Sequence, residues 1–287
     1  MTFIARLMHL VAQSLYFVAG QLSRLASAFD GLLPALLAPA QLNALTRKVY
    51  EKQYTSGLIE RSIGFEGQDL LPWENDALNR HAAKPGLMLV MGCGLGREAI
   101  AIARRGLSVV GVDSNAVAVQ TAQRLAKASG VPARFHLADY LMLPYASQVF
   151  DYALLSATMY SVIPGMAQRQ AWLNDLRRIL KPEGILILSF TGELLGNQRS
   201  RLGALRIRLP TTLARLPGAN PGYQVGDACG GGHFMHVFQR EEELREELDG
   251  AGALIRELDW ARRFAVVDFK RRTRYATLHA REGTGAS

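Results

Sequence analysis

Cysteine is scarce in this chain, which has only Cys93 and Cys229 among its 287 residues. Two cysteines cannot build a disulfide framework, and neither has the neighbouring cysteine or histidine spacing of a zinc site, so we expect no metal centre. Charged residues make up a modest 20%, whereas apolar residues reach 49%. That balance is typical of a folded globular protein and excludes wholesale disorder.

The excess positive charge of +8 is not gathered into one cluster. A nucleic-acid-binding arm normally concentrates its Lys and Arg residues, so we expect no nucleic-acid partner. The stretch 194–226 is locally basic, with five arginines and no acid. It is consistent with an anionic small-molecule acceptor, and equally with a solvated loop.

Long hydrophobic runs are also missing. The uncharged run from Leu10 to Ser23 has 14 residues, and a membrane-spanning helix needs about 20 apolar residues. The next apolar segment is interrupted by Pro34 and Pro39, which disfavour a continuous helix. We therefore predict no membrane span, and we expect a cytoplasmic protein rather than one with a cleaved secretory signal.

The N-terminal residues nevertheless predict a long amphipathic helix. Apolar side chains recur at steps of three and four along one face: Ile4, Leu7, Val11, Leu15, Val18, Leu22 and Leu25. Three partners for this face remain open at this point: the rest of the chain, a second subunit in a homodimer, or an anionic membrane surface. A second helical stretch is predicted over 42–59.

From residue 87 the pattern changes to short apolar runs that alternate with helical segments. Such continuous apolar strands, separated by helices, predict a parallel sheet covered on both faces. The predicted strands cover 87–91, 108–112, 133–137, 152–156 and 185–190, and the helices cover 97–105, 116–129 and 166–180. Residues 253–260 and 274–280 are predicted as the last two strands; 264–269 is strand-like but has no assigned place.

A glycine-rich turn, Gly92-Cys93-Gly94-Leu95-Gly96, follows the first predicted strand and opens a helix. Glycines at such a turn let backbone N–H groups approach a polar or anionic ligand at the helix N-terminus. Alone, the motif fits any doubly wound nucleotide-binding protein. The dinucleotide fingerprint has a small residue where this chain has Arg97, which disfavours a nicotinamide or flavin cofactor.

Two carboxylates follow the next two strands. Asp113 ends the second strand, 21 residues after Gly92, where an acid can accept hydrogen bonds from ribose hydroxyls. Asp139 follows the third strand and could accept from an adenine amino group. Taken alone, Asp113 could instead be a helix N-cap, and the simpler interpretation of Asp139 is a loop cap.

Over about residues 85–190 the chain resembles the class I S-adenosylmethionine-dependent methyltransferases. The resemblance lies in the order of its features: a strand, the glycine turn, Asp113, Asp139 and the turn Lys181-Pro182-Glu183-Gly184. The resemblance implies a Rossmann-like, doubly wound α/β sheet of about seven strands, mostly parallel, with a helical N-terminal extension. It implies S-adenosyl-L-methionine as the cofactor. It also implies that Gly92, Gly94 and Gly96 lie against the methionine part, that Asp113 binds the ribose and that Asp139 binds adenine.

One departure from the family concerns the acid that commonly stands two residues before the first glycine, where this chain has Val90. Glu74 is a candidate to bind the cofactor's amino group instead. Methyl transfer from a sulfonium depends mostly on alignment in a dry pocket, so the sequence names no catalytic base. The candidate acceptor-binding residues are Trp73, Tyr160, His233 and His236, for each of which a core or loop role is the alternative.

The sequence therefore predicts a methyltransferase for a small or medium-sized acceptor. We expect residues 1–84 to form a helical extension or lid and 85–287 to form the methyltransferase domain, with a basic insertion at about 191–239. The alternatives are a non-catalytic adenosyl-binding module, a dinucleotide oxidoreductase, and a membrane-surface methyltransferase with a lipid acceptor.

Overall fold

The computed structural model describes residues 3–56, 69–193 and 209–269. The described N-terminal part is helical: α1 is Phe3–Asp30, α2 is Leu33–Leu36, α3 is Pro39–Thr55 and α4 is Pro72–His81. Proline occupies the first turn of α2, α3 and α4, where its missing N–H and fixed φ are tolerated. None of the described helices is both long enough and apolar enough to span a bilayer.

The central sheet is built from strands that alternate with helices. Its elements in chain order are β1 (Leu87–Met91), α5 (Arg97–Arg104), β2 (Ser108–Asp113), α6 (Ala116–Ala128), β3 (Ala133–Leu137), β4 (Phe150–Leu155), α7 (Met159–Val162), α8 (Met166–Ile179) and β5 (Leu180–Ser189). Asn115 precedes α6 and caps it, because its side chain accepts a hydrogen bond from the Ala118 N–H, a typical N-cap. These elements confirm the predicted alternation.

The C-terminal part adds a second, smaller sheet and completes the first. Its elements are β6 (Thr191–Gly192), β7 (Asp227–Gly230), β8 (His233–Phe238), α9 (Glu241–Gly250), β9 (Leu254–Asp259) and β10 (Phe264–Asp268). Three acids occupy the first turn of α9, where the helix dipole favours negative charge. The small sheet, in the order β6-β8-β7, falls within the predicted insertion and was not anticipated.

The large sheet has seven strands in the order β3-β2-β1-β4-β5-β10-β9. Strands β1 to β5 run parallel, and β10 is antiparallel to both neighbours. The Rossmann-like prediction of a mostly parallel, seven-stranded sheet with a helical N-terminal extension is confirmed. The assignment of the last strands was partly wrong, because Phe264–Asp268 fills the place next to β5; residues 274–280 lie outside the described residues.

Both faces of the sheet are covered. Along β1, Met88 and Val90 face one core, which includes residues of α4, α5 and α6. Leu89 and Met91 face the other core, with residues of α8 and α9. Because side chains alternate along a strand, a parallel strand buried on both faces must be apolar throughout. The carboxyl ends of β1, β2 and β4 are thereby fixed at one edge of the sheet.

The predicted Lys181–Gly184 turn is present in a different form. Leu180 pairs with Phe150 and Ile185 pairs with Tyr152, so the intervening four residues bulge out of β5 opposite Asp151. Asp151 accepts hydrogen bonds from the Leu87 N–H at 2.9 Å and from Lys181 at 2.8 Å. These contacts hold the amino ends of β1, β4 and β5 together, at the edge opposite the glycine turn.

Candidate cofactor and acceptor site

The glycine turn adopts a backbone that favours glycine at all three positions. The φ angles of Gly92, Gly94 and Gly96 are +59°, +51° and +88°, in the left-handed region where side chains other than glycine are disfavoured. A Cβ on Gly96 would lie 3.1 Å from the Phe135 ring and from the Ala122 methyl group. The turn is therefore both conformationally special and tightly packed against its surroundings.

Asp113 is tied directly to this turn. One carboxylate oxygen accepts from the Gly94 N–H at 2.9 Å and the other from the Asn115 N–H at 2.9 Å. Asp113 is only 9% exposed, and burial raises its pKa although these N–H groups oppose the shift. Since a carboxylate offers about four acceptor positions, each oxygen keeps capacity for another donor.

A cavity of about 400 Å³ lies between α3 and this edge of the sheet. Its floor includes Gly92 and Asp113, and its far wall includes Tyr140, Met159 and Val162. Helix α3 contributes seven lining residues to the roof: Asn43, Thr46, Arg47, Tyr50, Glu51, Tyr54 and Thr55. The volume falls within the range typical of small-molecule sites.

Asp139 stands at the rim of this cavity rather than in its lining. Its carboxylate forms an ion pair with Arg47 of α3 and accepts from the Leu141 N–H at 2.9 Å. Together with Arg47 it lines a neighbouring cavity of about 440 Å³. The structure thus brings the glycine turn and Asp113 together and holds Asp139 beside them, in contact with the roof.

Glu74 is fully buried behind the glycine turn. Arg97 donates to both of its oxygens at 2.8 Å, the Leu71 N–H donates at 2.7 Å, and the Ser156 hydroxyl donates as well. Glu74 is not among the residues that line the cavity under α3. Its contacts explain why α4 is fixed beside α5.

Two of the other candidates pack in the core, as Tyr160 does, or against it, as Trp73 does. The Trp73 ring stacks on Phe264 with 5.3 Å between centroids. Tyr160 is fully buried and donates its hydroxyl to Glu247 at 2.5 Å, beside Arg169, which also donates to Glu247 at 2.7 Å. The structure does not bring either aromatic residue to the cavity.

The two histidines of β8 differ in their surroundings. His236 is buried and its Nδ1 lies 2.7 Å from the Asp227 carboxylate. His233 is partly buried, and burial lowers its pKa. Its Nε2 lies 3.0 Å from the side-chain nitrogen of Gln53, and its ring packs edge-on against Tyr50. His233 therefore supports the roof from behind and does not line the cavity.

The residues that sequence reasoning missed belong to α3. Thr46, Tyr50 and Tyr54 follow one another at steps of four, which places them on one helix face. Burial and the nearby Asp113 charge raise the pKa of both tyrosines, so both hydroxyls stay protonated at neutral pH. The spacing was visible in the sequence, but nothing in it indicated which part of the fold this face would cover.

The comparison with known families decides what this site belongs to. Residues 89–188 match a family described as a methyltransferase domain, and that range contains the glycine turn, Asp113 and Asp139. Residues 89–188 are a methyltransferase domain. The matched range of the methyltransferase domain does not include α3, so the roof of the cavity lies outside it.

Curated relatives of the methyltransferase domain include two quinone-pathway enzymes by name. A demethylmenaquinone methyltransferase of Thermus thermophilus is 32% identical over 134 residues, or 46% of this chain and 58% of that protein. A ubiquinone biosynthesis O-methyltransferase of Rhizobium etli is 27% identical over 166 residues, 58% of each chain. The chain thus spans somewhat more than half the length of these two relatives.

Solved structures share the fold. A SAM-dependent methyltransferase of Methanosarcina mazei superposes with a TM-score of 0.52 at 21% identity, covering 70% of this chain and 96% of that one. The 1,6-didemethyltoxoflavin-N1-methyltransferase of Burkholderia thailandensis, solved with its acceptor and S-adenosylhomocysteine, gives 0.54 at 18% identity, covering 81% and 89%. At such identities the likeness of the methyltransferase domain establishes architecture alone.

Proposed function

We propose that this protein transfers a methyl group from S-adenosyl-L-methionine to a small acceptor, and that the cofactor binds in the cavity under α3. The observation that carries the proposal is the hydrogen bond from the Gly94 N–H to Asp113 at 2.9 Å. It joins the glycine turn to the second-strand acid at the cavity that both Gly92 and Asp113 line.

The residues fit the cofactor in three places. Asp113 has acceptor capacity left for ribose hydroxyls. Gly92, the one glycine of the turn among the residues that line the cavity, would lie against the methionine part near the N-terminus of α5. Asp139 would accept from the adenine amino group once the Arg47 ion pair opens, with Tyr140 beside the ring.

When bound, the cofactor supplies an electrophilic methyl group on a sulfonium. The chain's own task is to hold the acceptor in line and keep water out. Tyr50 and Tyr54 cover the cavity from α3, and their raised pKa values keep them as neutral hydrogen-bond donors. No histidine is among the residues that line this cavity, so we assign no general base.

For the acceptor we propose a planar aromatic or quinone-like molecule. The support is the wall formed by Tyr50, Tyr140, Met159 and Val162, which offers aromatic and apolar surface. The quinones that appear in the names of the two curated relatives, demethylmenaquinone and ubiquinone, point the same way. The positive charge of Arg47 would favour an acceptor with an anionic group. If the acceptor is lipid-soluble, methyl transfer would take place at a membrane surface. A cytoplasmic location remains our expectation.

Two measurements test the proposal. Calorimetry with S-adenosylhomocysteine should give saturable binding, whereas NAD should not bind. Incubation with methyl-labelled cofactor and a panel of demethylated quinols and catechols should label at least one acceptor. Binding without transfer to any member of a wide panel would favour the alternative of a non-catalytic adenosyl-binding module. Preference for NAD would overturn the cofactor assignment.

A further inference from the structure

Helix α1 presents an unusual concentration of exposed apolar side chains. Ten large hydrophobic residues between Met8 and Phe29 are 52% to 79% exposed, and they are more than half of all such residues in the described chain. Monomeric soluble proteins rarely expose contiguous apolar surface on this scale. The helix is anchored at its end, where the Asp30 carboxylate accepts from the Gly231 N–H at 2.8 Å.

The apolar surface covers a wide arc of the helix. Val11, Leu15, Val18, Leu22, Leu25 and Phe29 form a stripe at steps of three and four. Leu10 and Phe17 extend the arc to about half of the circumference at 3.6 residues per turn. A coiled-coil partner covers only a narrower seam, so it would leave Leu10 and Phe17 in water. A flat apolar phase covers the whole arc.

Two further exposed hydrophobic side chains lie on segments near the end of α1. They are Leu36 of α2 and Leu216. The segment that contains Leu216 contacts α2 directly, because Asn220 donates to the Pro34 carbonyl at 2.8 Å and to the Ala35 carbonyl at 2.9 Å. We call α1, α2 and the described residues 209–225 the apolar ridge.

Two exposed arginines belong to the apolar ridge. Arg24 and Arg215 are exposed, and the sequence stretch 194–226, to which Arg215 belongs, has no acid. Asp30, the one acid of α1, is held by the Gly231 N–H. Two copies of the chain that met through this ridge would bring like charges together, and the one acid of α1 is already engaged by the Gly231 N–H.

We propose that the apolar ridge docks on the surface of a bilayer that contains anionic lipids, with α1 lying in the plane of the interface. None of the described helices is long and apolar enough to span a membrane. Helix α1 has two arginines against one aspartate, and an amphipathic helix with a wide apolar arc and basic residues binds an interface without crossing it. The inference rests on the proposed function only for its consequence that a lipid-soluble acceptor could reach the cavity from the bilayer.

The test is vesicle co-sedimentation of the full chain without cofactor. Vesicles of phosphatidylcholine mixed with phosphatidylglycerol should bind the protein, pure phosphatidylcholine should bind it less, and added salt should weaken binding. The variant Val18→Gln with Leu22→Gln should lower the partition coefficient at least about tenfold, because two aliphatic side chains lose their burial. The matched variant Ser23→Gln with Ser27→Gln alters the opposite face and should stay within about twofold of the wild type.

All four positions are exposed, so both variants should fold, which thermal unfolding and S-adenosylhomocysteine affinity will confirm. Failure of the wild type to bind anionic vesicles, or equal binding by the Val18/Leu22 variant, would overturn the inference. A stable dimer in sedimentation velocity that only the Val18/Leu22 variant abolishes would assign the ridge to a second copy. Loss of vesicle binding with unchanged cofactor affinity separates this inference from the proposed function.

Discussion

The Asp113→Asn substitution tests the site most directly, because it keeps the side-chain shape and removes one acceptor. In the folded protein the two carboxylate oxygens accept from two backbone N–H groups, those of Gly94 and Asn115, each at 2.9 Å. The amide has only one oxygen. One of the two N–H groups therefore loses its partner, and the new NH2 group faces it.

The expected loss has two parts. An unpaired buried donor costs about 1–3 kcal/mol of the free energy of unfolding. Loss of a charged acceptor for the ribose hydroxyls costs about 1.5–3 kcal/mol of binding, which raises the Kd for S-adenosylhomocysteine roughly tenfold to hundredfold. Calorimetry measures the second part, and urea unfolding monitored by circular dichroism measures the first.

Asp151→Asn is the matched control. Asp151 also accepts from a backbone N–H beside β1, that of Leu87 at 2.9 Å, but it stands at the amino edge of the sheet, away from the cavity. This variant should lose stability while its affinity for S-adenosylhomocysteine stays that of the wild type. Wild-type affinity in Asp113→Asn, or equal loss of affinity in both variants, would refute the ribose role.

The pH dependence of stability should also separate the two acids. Burial raises the pKa of Asp113, so the folded state holds its proton more tightly, and its contribution to stability falls as pH rises from the unfolded value, about 3.9, through the folded one. Backbone and Lys181 hydrogen bonds lower the pKa of Asp151, so its contribution is present above about 3.9 and is lost as pH falls through the folded value. Each Asn variant should remove its own slope, and slopes of the same sign would contradict the assignment.

Three further substitutions test the surroundings of the site. Arg47→Met breaks the exposed ion pair with Asp139, so the free energy of unfolding should change by less than about 1 kcal/mol. Calorimetry should show slightly tighter binding of S-adenosylhomocysteine, whereas weaker binding would mean that Arg47 itself holds the cofactor. Glu247→Ala leaves the buried Arg169 guanidinium without its carboxylate and should cost about 3–5 kcal/mol in urea unfolding, whereas an unchanged midpoint would contradict the buried network. Gly96→Ala should lower the melting temperature more than Gly106→Ala does, because both have φ near +90° but only Gly96 is crowded; equal losses would show that packing adds nothing.

Much of the fold could be predicted from local pattern. The strands β1, β2 and β3 and the helices between them lie within a residue or so of their predicted bounds. For β1 and β2 the reason is that parallel strands buried on both faces leave a continuous apolar signal. The last strand was misassigned because an apolar run does not show which strands pair with each other. Phe264–Asp268 carries that signal, but only the pairing of β10 with both β5 and β9 shows where it belongs.

The site was predictable where its residues follow strand ends and unpredictable where they come from afar. Gly94 and Asp113 meet because the carboxyl ends of adjacent parallel strands share an edge. The pairing of Arg47 with Asp139 joins positions 92 residues apart, and no local pattern encodes such a contact. The predicted acceptor-binding role of Tyr160 was not met, because a tyrosine after β4 can point to the carboxyl edge of the sheet or, as here, into the core toward Glu247.

The origin of α3, which forms the roof of the cavity, affects which acceptor the protein can bind. The part of the chain that matches the methyltransferase family, residues 89–188, supplies the glycine turn and Asp113. Arg47, Tyr50 and Tyr54 come from α3, outside that range, and they cover the same cavity. Enzymes that share a cofactor can bind it with the same residues, whereas each acceptor needs its own binding residues. We infer that α3 selects the acceptor together with Tyr140, Met159 and Val162 of the matched range, so a relative's substrate is most informative for this protein where the relative also carries the same helix.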